Sequence, residues 1–224
     1  MTNPMGASGI LFDFDGTLID SGAAIIAAYR QTFEKQLGVP LPAALEDPHL
    51  LMAPRPVEVF ATWSDGNPAE LVEAYGRHYL AGAYELVTPY GGTHDLIAEL
   101  TASGTKFGIV TNKSRQRLLL DLDWVGIDPA ALSCIVTADD SLQRKPDPTP
   151  ILLGVERSGI DPIGSWYVGD GPQDILGGRA AGLRTAGANY GYYGADALAQ
   201  YSPDLSLEAP LDALRIPSSP SLFI

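Results

Sequence analysis

Five short apolar stretches punctuate the chain at 9–13, 106–111, 133–137, 165–169 and 184–188. Each has little polar alternation and runs into a turn and then a helical pattern, as expected of strands buried on both faces of a parallel sheet. The intervening helices have readable ends. Ser114 stands as an N-cap before Leu118, Leu119, Leu122 and Val125 on one face, and Gly126 supplies the stop. Regular alternation of strand and helix predicts an α/β fold with helices on both faces of the sheet.

One region breaks the alternation. Between 19 and 86 only helical periods are legible: Ile25, Tyr29, Phe33 and Leu37 recur at spacing four and stop at Gly38, before Pro40 and Pro42. Asn67 and Pro68 then open a second helix, whose face carries Leu71, Val72, Tyr75 and Tyr79. The stretch reads as a helical insertion between the first two strands, giving a core of 1–18 and 87–224 and a cap of 19–86. The competing reading is a pair of long crossover connections over one sheet face. The Ser- and Pro-rich 217–220 reads as a loosely ordered tail.

Composition narrows the function classes. With 224 residues, 46% hydrophobic and 18% charged, the chain can bury a sizeable core as one domain carrying an insertion. A net charge of −13 opposes attraction to nucleic acid or to anionic membrane, so neither is an expected partner. The single cysteine, Cys134, excludes an intramolecular disulfide and reads as core. His49, His78 and His94 are scattered without metal-ligand spacing. The opening MTNPMGASG has no basic region followed by an apolar one, and no apolar run approaches membrane-spanning length, so a cytoplasmic protein is expected.

Four clusters carry candidate chemistry. FDFDGTLIDS places Asp13 and Asp15 on one side of a strand end, with Phe12 and Phe14 toward the core; two such carboxylates repel unless a cation sits between them. Gly16 permits a tight turn, and Thr17 offers a hydroxyl nearby. An acidic turn capping a helix would account for this pair alone. Asp170 precedes a helix starting near Pro172, and Asp174 falls in its first turn, where capping accounts for either residue singly. Thr111 and Asn112 end a strand before a helix N-terminus, a setting that suits an anion. Lys145 is held before Pro146. In an open α/β sheet such strand-end loops converge at the switch point of the connections, and their joint occurrence favours one site over four accidents.

In this order the motifs resemble those of the haloacid dehalogenase-like hydrolases, over essentially the whole chain. VTPYGGTHDLIAEL, VTNKS and NYGYYG are similar to the phosphoglycolate phosphatase-like branch. The resemblance implies a Rossmann-like core with a helical cap and a Mg2+-dependent phosphatase working through an aspartyl-phosphate. Asp13 would be the nucleophile and Asp15 the acid-base. Thr111, Asn112 and Lys145 would hold the phosphate, Asp13, Asp15 (through its carbonyl) and Asp170 the metal, and Asp174 would orient a neighbouring group. Arg55 in MAPRP is the cap candidate for a substrate carboxylate. The implied partner is a small phosphorylated metabolite, 2-phosphoglycolate first, met by a monomer or homodimer. Pyrophosphatase, sugar or nucleotide phosphatase and phosphomutase are the near alternatives, and a receiver-like phospho-signalling domain the distant one. Gly171-Pro172, where the branch often has Ser or Thr, and Ala53, where it often has Gly, are departures bearing on the metal loop and on substrate choice.

Overall fold

The computed structural model describes residues 8–52 and 54–216, so Ala53 and the 217–220 tail lie outside the described residues. In chain order the strands are β1 (Gly9–Phe12), β2 (Ile19–Asp20), β3 (Thr88–Pro89), β4 (Lys106–Val110), β5 (Cys134–Val136), β6 (Trp166–Gly169), β7 (Arg184–Ala188) and β8 (Leu205–Leu207). The helices are α1 (Gly22–Thr32), α2 (His49–Met52), α3 (Pro56–Trp63), α4 (Pro68–Leu80), α5 (Thr93–Ala102), α6 (Arg115–Trp124), α7 (Thr149–Ser158), α8 (Pro172–Ala180) and α9 (Gly194–Ala199).

The main sheet has six strands in the order β5-β4-β1-β6-β7-β8, all paired in parallel. Alternation within β1 sorts its side chains onto two faces. Ile10 and Phe12 join one buried cluster with Leu96, Phe107, Leu118 and Val168, while Leu11 joins a second with Val110, Ile151 and Tyr167. Helices therefore cover both faces of a Rossmann-like α/β fold.

Three details differ from the sequence reading. The sheet has a sixth strand, β8, whose Leu-Ser-Leu is too short to register as a buried run; it pairs with β7 at the edge. The region from 19 begins with a strand, because Ile19 and Asp20 pair antiparallel with Pro89 and Thr88. In α6 Leu118 and Leu122 are buried, but Leu119 is 40% exposed.

Between β2 and β3 the described residues form only helical elements and their connections. In α1 the spacing-four face holds, with Ile25 and Tyr29 buried; a π-helical turn follows from Phe33, ending at Gly38 with φ +69°. Asn67 caps α4 through its side chain, which accepts from Ala69 N. Tyr29 packs against Tyr75 at 4.5 Å and Phe60 at 5.2 Å between ring centroids, tying α1, α3 and α4 together. This cluster is continuous with the β1 face of the sheet.

Candidate active site

The centre of the sheet positions the site. β1 lies between β4 and β6, so the chain leaves these three adjacent strands at one end, and the connections diverge on either side of β1. Asp13 N donates to Val168 O at 2.8 Å, carrying the ladder one residue past β1. The turn then closes with Leu18 N and Ile19 N both donating to Phe14 O, and Gly16 at φ +78° makes it tight. Phe12 and Phe14 are buried, which leaves Asp13 and Asp15 to face away from the core.

Asp13, Asp170 and Asp174 are buried, and each brings an oxygen within 4.8 Å of the others. Lys145 Nζ lies 2.9 Å from Asp13 Oδ1 and 2.7 Å from Asp174 Oδ1, and donates to Tyr167 OH at 2.8 Å. Tyr167 in turn donates to Val110 O at 2.7 Å. Burial, with repulsion from Asp174 and Asp15, outweighs Lys145 and pushes the Asp13 carboxyl up to about 7. Asp170 is likewise raised, by burial first and then by Asp174 and Asp13. Burial tends to discharge Lys145, but Asp13 and Asp174 hold it firmly protonated.

Asp15 makes a second cluster. Its Oδ1 lies 2.7 Å from Lys113 Nζ and accepts from Ser21 Oγ at 2.5 Å. Lys113 also pairs with Asp121 and donates to Tyr79 OH at 3.1 Å, and Tyr79 donates to Asp121 Oδ2 at 2.9 Å. Burial would raise Asp15, but Lys113, Ser21 and Arg117 together take it below the ordinary carboxylate value. Asp121 is raised, by burial and by Asp15 against the pull of Lys113. Tyr79 belongs to α4 and Asp121 to α6, so this buried network joins the helical segment to the sheet-flanking helices.

A cavity of about 400 Å3 opens here, with Asp13, Asp15, Thr111, Asn112, Asp170 and Arg55 in its wall. Thr17 is fully buried and does not face it. Lys145, 4% exposed, stands outside the wall and touches Asp13 instead. Asn112 does face the cavity, yet its side chain is engaged with the Lys145 backbone: Lys145 N donates to Oδ1 at 3.2 Å and Nδ2 donates to the carbonyl at 3.4 Å. Ser114 precedes α6 as expected, but its hydroxyl accepts from Arg117 Nε at 3.0 Å rather than capping the helix. Arg55 grips Glu58 through Nε at 2.7 Å and Nη2 at 2.5 Å. Asp174 Oδ2 accepts from Gly171 N at 3.0 Å at the start of α8, so it caps the helix and holds Lys145 together.

Residues that the sequence reading left aside complete the site. Lys113 sits inside the VTNKS segment, and Arg117 and Asp121 follow it at spacing four. Tyr192, in NYGYYG, donates its backbone N–H to Asp170 Oδ2 at 2.9 Å, and its hydroxyl accepts from Ser21 N at 2.7 Å. Gly16 and Gly191 sandwich Asp170: a Cβ on either would lie 2.3 Å from an Asp170 atom. The bland residues stay bland. Cys134 is buried, with its thiol pushed up to about 11 by burial, and His94 Nε2 meets Val125 O at 2.8 Å.

The oxygen donors suit a hard divalent cation. Three carboxylates crowd one buried place, and Asp13 Oδ1 has no hydrogen-bond partner among the described residues beyond its ion pair with Lys145.

Residues 10–188 match the sequence model of the haloacid dehalogenase-like hydrolases. Pyrophosphatase PpaX of Bacillus velezensis is 36% identical over 93% of this chain and 95% of its own length. Pyrophosphatase PpaX of Bacillus pumilus is 34% identical over 92% of this chain and 94% of its own. A haloacid dehalogenase-like family hydrolase from Streptococcus pneumoniae superposes with a TM-score of 0.81 at 28% identity, covering 93% of this chain and 97% of that one. A protein from Haemophilus somnus, described as a predicted phosphoglycolate phosphatase, shares the fold with a TM-score of 0.82 at 22% identity over 96% and 99% of the two chains. Among the described residues no helix is long and apolar enough to cross a membrane.

Proposed function

Because this chain belongs to the haloacid dehalogenase-like hydrolases and is a phosphatase among them, we propose that it is a Mg2+-dependent enzyme that hydrolyses a small phosphorylated metabolite through an aspartyl-phosphate on Asp13. The observation that carries the reading is the convergence of Asp13, Asp15 and Asp170 on one cavity wall, with Lys145 2.9 Å from Asp13. Asp13, Asp170 and the Asp15 carbonyl would hold the cation. When bound, that cation neutralises phosphoryl oxygens and offsets the crowded carboxylates.

The steps belong to the side chains. An Asp13 carboxylate oxygen bonds to phosphorus as the bond from phosphorus to the leaving oxygen breaks, and Asp15, whose carboxyl titrates low in the empty site, must first take up the proton that it delivers to that oxygen. Water then attacks phosphorus, gives its proton to the Asp15 carboxylate, and displaces Asp13 with release of inorganic phosphate. Lys113 is shared between Asp15 and Asp121, so Asp15 can change its charge without stripping Lys113 of a buried partner. Lys145 aims Asp13 and favours its ionised form against the burial that raises it, Thr111 and the backbone amide of Asn112 receive phosphoryl oxygens, and the Asn112 side chain fixes the Lys145 backbone. Helices α1 to α4 would act as the cap that excludes water and reads the leaving group.

The motif resemblance supports 2-phosphoglycolate as substrate, with Arg55 toward its carboxylate. The names of the 31–36% identical relatives support pyrophosphate. Work in the cytoplasm as a monomer or homodimer accords with both. A phosphate-ester panel including both compounds, run with and without Mg2+, tests the reading: Mg2+-dependent release of phosphate is expected, and phosphorylation without turnover would point instead to a receiver-like role.

A further inference from the structure

The cavity wall has two chemistries besides the catalytic carboxylates. One is an apolar and aromatic set, Ile25, Tyr29, Leu51, Val57, Val72 and Tyr75, and the other a pair of arginines, Arg117 and Arg144. Arg117 is held by neutral groups only, Nε on Ser114 Oγ and Nη1 on Tyr75 OH, each at 3.0 Å, with its guanidinium 5.2 Å from the Tyr75 ring centroid. Neither Arg117 nor Arg144 forms an ion pair among the described residues, in a chain with 27 acidic side chains against 14 basic. Asp15 acts on Arg117 and Asp139 on Arg144 without pairing with them: Asp15 is held by Lys113 and Asp139 by Arg115 N at 2.8 Å, and Arg55 is already committed to Glu58.

We infer that the substrate's leaving group is an organic body with an apolar or aromatic surface, lying along Tyr75 and its neighbours, and that it carries a second anionic group received by Arg117 and Arg144. The inference rests on the phosphatase reading above and narrows its substrate class. A volume of about 400 Å3 falls within the roughly 300–1,000 Å3 typical of small-molecule sites. Pyrophosphate and 2-phosphoglycolate offer the apolar wall nothing to cover. Desolvation first, and then Arg55 and Arg117, depress the pKa of Arg144 against the pull of Asp139, and an anion placed beside it would offset them. A carboxylate and a second phosphate share this chemistry.

The test compares kcat/KM for phenyl phosphate, 4-carboxyphenyl phosphate, hydroquinone bisphosphate, methyl phosphate and pyrophosphate with Mg2+ present. At least one of the two doubly anionic aryl esters should exceed phenyl phosphate by about tenfold or more, as one charge-assisted contact provides. R117Q and R144Q should each bring that ratio down toward one. R144Q disturbs no ion pair or side-chain hydrogen bond seen among the described residues, which guards the test against loss of folding in R117Q. A wild-type ratio near one, a ratio unmoved in both variants, or a higher kcat/KM for pyrophosphate or methyl phosphate would overturn the inference while leaving the phosphatase reading intact. Turnover of none of the five would overturn this inference, and failure to turn over 2-phosphoglycolate as well would remove the phosphatase reading itself.

Discussion

Lys113 lies 2.7 Å from Asp15, and the same buried ammonium pairs with Asp121, the second contact being sealed from solvent. One cation thus sits between a part-buried carboxylate facing the cavity and a fully buried one on α6. Lys113→Met leaves both without their partner. It should destabilise the protein by about 3–5 kcal/mol, the usual cost of breaking a buried pair from one side. Urea denaturation checks this, and adding Asp121→Leu should recover part of the loss. A loss below about 1 kcal/mol would show that the network contributes no more than a surface pair.

Crowding of Asp13, Asp170 and Asp174 makes a second prediction. A divalent cation that binds only the folded chain raises its stability, by about 2.7 kcal/mol at a hundredfold excess over Kd. Mg2+ should therefore raise Tm, and Asp170→Asn should remove most of the shift. Equal shifts in both proteins would place the cation elsewhere.

Gly191 is a packing constraint on the same carboxylate. A Cβ there would stand 2.3 Å from both Asp170 Cβ and the Gly16 carbonyl oxygen. Gly191→Ala should cost about 1–3 kcal/mol, as overpacking does, and lower kcat by displacing Asp170. Wild-type kcat and Tm would mean that the loop yields freely.

Away from the site, Asp140 accepts from Thr137 N at 2.8 Å and Thr137 Oγ1 at 2.7 Å and pairs with Arg115 and Arg157. Burial opposes its charge, but Thr137, Arg157 and Arg115 hold its carboxyl well below the ordinary value. A depressed carboxyl stabilises the fold above its unfolded value and loses that contribution as pH falls toward its folded one. Asp140→Asn should thus cost about 1 kcal/mol at neutral pH. Denaturant titrations should show the gap narrowing as pH drops below the ordinary carboxyl value of 3.8. A gap constant with pH would contradict the assignment.

Much of the strand layout was legible, because β1, β4, β6 and β7 are short apolar runs that each end near a polar or acidic residue. β8 escaped because three residues at a sheet edge carry no run of their own. In the site, residues lying within one motif could be read locally, as Asp13 with Asp15 or Asp170 with Asp174. The Lys113 network could not, because Tyr79 meets Asp121 across 42 residues and Lys113 meets Asp15 across 98. Asn112 illustrates the same limit: its place after a strand suggested an anion site, but the reach of its side-chain amide to the Lys145 backbone, 33 residues on, could not be read locally.

The central claim is that phosphoryl transfer passes through Asp13. The direct measurement is intact-mass analysis of acid-quenched protein after mixing with a turned-over ester and Mg2+, with peptide mapping of any adduct. One phosphoryl group on the peptide containing Asp13, absent from Asp13→Asn, which should also lack turnover, is the predicted result. Full turnover by Asp13→Asn, or a phosphoryl group mapped to another residue, would contradict the account.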